Sequence, residues 1–73
     1  MSQIVAIGES ERLRGFALAG VDVVVADDPA GARAAWAALP ADVALVILTP
    51  AAHRGLGVDE LDPRGQRLWV VLP

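Results

Sequence analysis

The chain has 73 residues, a hydrophobic share of 55% and a formal net charge of −3 from six basic and nine acidic side chains. That length makes one domain, residues 1–73, near the size at which a single core supplies only about 3–5 kcal/mol of net stability, so a protein partner is a natural source of more. The absence of Cys excludes disulfides, zinc–thiolate sites and thiol chemistry, and basic residues that are all Arg and outnumbered by acids do not make the basic stripe that nucleic acid requires.

Ile4, Val5, Ala6 and Ile7 form a continuous apolar run broken by Gly8, the pattern of a strand covered on both faces, and no cationic stretch precedes it as a signal peptide would need. Ser10 then reads as the N-cap of a helix with Glu11 in its first turn, where a negative charge suits the helix dipole. Leu13, Phe16 and Ala17 stand at i, i+3 and i+4 and give this helix its apolar stripe. Gly20 stops it, since glycine takes the left-handed C′ conformation without a Cβ penalty. Gly15 lies inside the helix at a cost of about 0.8–1 kcal/mol relative to Ala, which points to close packing or a shortened helix.

Residues 21–26 are rich in β-branched side chains and form a second strand, ended by Asp27-Asp28-Pro29. Asp28 is placed to cap the next helix, with Pro29 at its first position, where the missing N–H is no loss. Within that helix Ala32, Ala35, Trp36 and Leu39 make the inward face, anchored by Trp36. The outward side carries Ala30, Gly31, Arg33, Ala34, Ala37 and Ala38, one charge among small side chains that would admit a neighbour closely.

The longest apolar run, residues 43–48, falls far short of the roughly 20 residues needed to span a bilayer and reads as the strand at the sheet centre. Thr49-Pro50 repeats the cap-then-proline signal and opens a short third helix to about Arg54, stopped by Gly55 and Gly57. Residues 58–66 hold turn chemistry and are expected to be the most mobile segment. Residues 67–72 form the last strand. Strands alternating with helices specify an α/β fold: a single four-stranded parallel sheet of order 2-1-3-4, flavodoxin-like or Rossmann-like, with right-handed crossovers and strands one and three in the middle.

In such sheets the default ligand site is the crevice beyond the strand ends at the switch point, here the rim of Gly8, Glu9, Ser10, Thr49 and Pro50. Neither the phosphate-loop pattern nor the dinucleotide glycine pattern is present, so Ser10 and Thr49 read as helix caps. A receiver-type phosphoacceptor site also fails, because Glu9 stands alone after the first strand, Thr49 follows the third and there is no Lys. His53 has no companion for catalysis or zinc and is read as solvent-facing near a helix C-terminus. Trp36 and Trp69 are assigned to the core. No catalytic, cofactor-binding or metal-binding residue is expected, and the chain is not read as an enzyme.

The segment Arg14-Gly15-Phe16-Ala17-Leu18-Ala19-Gly20-Val21, directly after the strand ending at Gly8, resembles the opening of the F subunit of the V-type and archaeal A-type rotary ATPases. Asp27-Asp28-Pro29 before an Ala-rich helix, the strand into Thr49 and the closing Val70-Val71-Leu72-Pro73 extend the likeness over nearly the whole chain. The resemblance implies a non-catalytic rotor part on the cytoplasmic side, peripheral to the membrane. It would dock on the coiled-coil shaft subunit of the central stalk and modulate the coupling of ATP hydrolysis to proton or sodium pumping. The family continues past the proline after its fourth strand into a largely helical tail, whereas this chain ends at Pro73. Contact is therefore expected through the globular domain, with Arg33, Ala34, Ala37, Arg54 and Leu56 as candidates. The alternative from a different class is a stand-alone regulatory or ligand-binding α/β module that uses the rim near Gly8 and Thr49.

Overall fold

Seven elements alternate along the chain in the computed structural model, which describes residues 4–18, 20–57 and 67–73. They are β1 (Ile4–Gly8), α1 (Ser10–Leu18), β2 (Asp22–Val25), α2 (Pro29–Ala37), β3 (Leu45–Leu48), α3 (Pro50–Leu56) and β4 (Trp69–Val71). The strands are all parallel and lie in the order β2-β1-β3-β4, as the sequence predicts. The segment expected to be a mobile polar turn, residues 58–66, lies outside the described residues.

The cap signals work as written. Asp28 accepts a hydrogen bond from the Gly31 N–H at 2.6 Å with Pro29 opening the helix, and the Thr49 hydroxyl accepts from the Ala52 N–H at 3.3 Å ahead of Pro50. Gly20 has φ +84°, and the Val21 N–H donates back to the Phe16 carbonyl at 3.2 Å, the six-to-one bond of a Schellman ending. Gly57 ends α3 in the same left-handed region, with φ 60°.

Register sorts the sheet's side chains onto two faces. Val5, Ile7, Val46 and Leu48 point to one side and join Ala32 and Trp36 of α2 with Ala52 and Leu56 of α3 in the main core. α1 packs on β1 and β2, and its fully buried Leu13 lies outside that cluster, so α1 covers the opposite face. Two helices thus cover one face and one covers the other. The side chains of β4 and its approach that share the α1 side remain open, with Leu68 66% and Val70 46% exposed.

Several local expectations are corrected. β2, β3 and β4 are shorter than the runs that predict them: residues 21 and 26 flank β2, residues 43 and 44 precede β3, and residues 67, 68 and 72 flank β4. Ser10 is already the first helical residue of α1, and it is the Glu9 carbonyl that accepts from the Arg12 and Leu13 N–H groups. α3 continues through Gly55 to Leu56, because Gly55 allows the start of α2 to approach: a β-carbon there would stand 3.0 Å from the Pro29 Cα. Phe16 is half-buried, and Trp69, also half-buried, packs against the main core from its edge. His53 is half-buried too, its ring 5.1 Å from that of Trp69, so it lines the helix–strand seam and does not face solvent freely.

Gly15 neither packs closely nor shortens its helix. It is exposed in the middle of α1, and a β-carbon there would meet no atom within 4 Å. Gly15→Ala is therefore expected to stabilise the domain by about 0.5–1 kcal/mol in urea unfolding. Gly20→Ala, which forces a β-carbon into the left-handed region, is expected to destabilise it by about 1–2 kcal/mol; equal effects of the two substitutions would overturn this reading of the helix end.

Candidate functional site

The rim at the switch point is built from the ends of the two central strands. Gly8 closes β1, and Thr49, fully buried, follows β3. The Thr49 hydroxyl donates to the Glu9 carboxylate while accepting from the Ala52 N–H, so both its hydrogen-bonding roles are filled. Its side chain occupies the space a β-carbon on Gly8 would need. The space directly above Gly8 is therefore taken by Thr49, and any ligand at this rim would have to sit beside it.

The Thr49 hydrogen bond, with a contact to its own backbone N–H, holds the Glu9 carboxyl below its ordinary value of 4.5; burial opposes them, and the charges of Arg12 and Arg54 add smaller downward effects. Beside it a cleft of about 290 Å³ opens between the start of α2 and α3, with Asp27, Asp28 and Arg54 on its walls. Three carboxylates against one guanidinium make this cleft unfavourable for phosphate. Among the described residues no group of three or more His, Asp or Glu side chains is arranged to hold a metal ion, and no helix is long and apolar enough to cross a membrane.

The five residues expected to meet a partner separate in the structure. Ala34 and Ala37 are exposed on the outer side of α2, as read from the sequence. Arg33 is exposed beside them, but its Nε donates to the Gly55 carbonyl at 3.2 Å, tying α2 to the last turn of α3. Arg54 is exposed on α3 at the cleft. Leu56 is corrected: it is 1% exposed and belongs to the main core, so its side chain is not available to a partner. Its place beside two glycines expected to stop the helix suggested a loop, but α3 runs on and turns it inward.

A second concavity escaped sequence reasoning. α2 sits toward β1 and leaves the inner side of the edge strand β2 open, so Asp22 and Val24 are exposed although they point to the α2 face. The resulting groove, about 530 Å³, has Val5 and Val24 in its floor, Ala35 and Leu39 in its wall, and Asp22 and Asp42 as its charged groups. No periodicity signals such a gap, since it depends on where a helix settles across the sheet.

Comparison with family models, with curated proteins and with solved structures finds no match to the chain. What the site can do is therefore argued from its own geometry.

A carboxyl whose folded-state value is depressed adds stability above its unfolded value and loses it as pH falls through the folded one. For Glu9 that loss falls below pH 4.5. Glu9→Gln is expected to flatten the acid side of the stability profile between about pH 5 and pH 3 in urea titrations, and an unchanged acid slope would show the Thr49 contact to be thermodynamically silent.

Proposed function

We propose that the chain is a non-catalytic central-stalk subunit of a V-type or A-type rotary ATPase, translocating protons or sodium ions as a complex. In this reading it docks on a coiled-coil shaft subunit and modulates coupling from the cytoplasmic side, peripheral to the membrane. The observation that carries the reading is the segment from Gly15 to Val21 with its likeness to the F subunit of those enzymes, in a chain whose four-stranded parallel α/β fold is of the kind that likeness implies. The outer side of α2 supplies a surface suited to a helical partner. Ala34 and Ala37 present methyl groups only, so a second helix axis can approach at the low end of the usual range of about 8–10 Å. Arg33, exposed on the same helix, offers charge beside this surface, where it steers association more than it adds affinity, and Arg54 is exposed on the neighbouring α3.

Co-expression with the shaft subunit of the same organism, followed by size-exclusion chromatography at low salt, tests the proposal. The expected result is co-elution, lost on replacing Ala34 and Ala37 together by Glu while the circular dichroism spectrum of the isolated domain stays unchanged. Separate elution of the unsubstituted chain removes the rotor reading, and co-elution of the double variant removes the α2 surface from it.

A further inference from the structure

We propose that the groove between α2 and the edge strand β2 is a binding site for a small cationic amphiphile, an aliphatic chain ending in a primary ammonium group. Its volume of about 530 Å³ lies within the range of small-molecule sites, and apolar side chains with a few charged groups line it, as in such sites generally. Val5, Val24, Ala35 and Leu39 suit an alkyl body.

The sign of the head group follows from three features at the same end of the fold. Asp22 and Asp42 both line the groove, and neither carboxylate makes a hydrogen bond or ion pair among the described residues. The wall is the C-terminal half of α2, whose own last turn holds no basic residue, so the negative end of the helix dipole adds to the two carboxylates, and the single charge of Arg67 near that end offsets them only in part. Arg67 reaches the adjoining loop but is engaged, donating to the Pro40 carbonyl at 3.4 Å with its guanidinium 5.8 Å from the Trp36 ring. An inward-facing acid on an edge strand also blocks strand addition, which accounts for Asp22. It does not account for Asp42, which lies outside the strands, nor for the open apolar floor.

The test is a methyl-resolved NMR titration of the full chain with n-octylammonium, 1-octanol and octanoate. Octylammonium is expected to give saturable shifts at Val5, Val24 and Leu39, about fivefold tighter than octanol, with octanoate weaker than either. Added salt should erase the advantage of the cation and leave octanol unchanged. Replacing Asp22 and Asp42 by Asn should do the same. Equal binding of the three probes, shifts centred away from the groove, or no saturation by octylammonium would each overturn the proposal.

Discussion

Thr49 is the point on which the arrangement of the sheet and its helices depends. It ends one central strand, caps α3, hydrogen-bonds the residue after the other central strand and fills the space above Gly8. Its N–H donates to the Ile7 carbonyl at 3.2 Å and its carbonyl accepts from the His53 N–H at 2.9 Å. No polar atom of a residue with 0% exposure is thus left without a partner. That completeness matters because a buried unpaired polar group costs about 1–3 kcal/mol, a large fraction of what a domain of this size holds in reserve. The same packing decides a functional point. Above Gly8 the space is taken by a threonine side chain, so in this chain that part of the switch point contributes to cohesion, and the open cleft lies beside it, toward α2 and α3.

Local chemistry made much of this fold legible. Asp28-Pro29 and Thr49-Pro50 place helix starts because a side-chain acceptor followed by a residue with no N–H satisfies the orphan donors of a first turn with little competition. Gly20 places a helix end because few other residues accept its dihedral angle. The unbroken apolarity of β1 and β3 gives the sheet order, since only strands covered on both faces need it. The misreadings share one cause: they concern contacts between elements distant in sequence. Ser10 has the chemistry of a cap, yet the Glu9 carbonyl starts the helix while the Glu9 side chain is held by Thr49, forty positions away. Leu56 stands between two glycines, yet Gly55 serves to seat Pro29 against α3 and leaves the helix unbroken. Ala34 and Ala37 were readable as surface from periodicity alone, whereas the Arg33 bond to Gly55 was not.

Uneven coverage of the sheet explains where unfilled apolar surface lies. With α2 and α3 packed side by side on one face, α2 is drawn toward β1, and the inner side of β2 becomes a groove. With α1 alone on the other face among the described elements, Leu68 and Val70 on the β4 side are exposed. Surface left open in this way is where contacts with other molecules would recover burial, at roughly 25 cal/mol per Å² of apolar area removed from water.

Charge then divides that surface by direction. Glu9, Asp27 and Asp28 gather where the strands end, and Asp22 and Asp42 gather where β2 and β3 begin, so both ends of the sheet are negative. Helix N-termini that would otherwise attract phosphate are screened here by the carboxylates next to them, Glu9 before α1 and Asp28 before α2. Arg12, Arg14 and Arg33, by contrast, are exposed along the sides of α1 and α2. A partner approaching the helices broadside meets arginine, and one approaching along the strands meets carboxylate. Complementary potentials of this kind orient an encounter and reject the wrong approach even where they add little to affinity. The charge pattern therefore separates exposed arginines on the sides of α1 and α2 from the carboxylates at the two ends of the sheet.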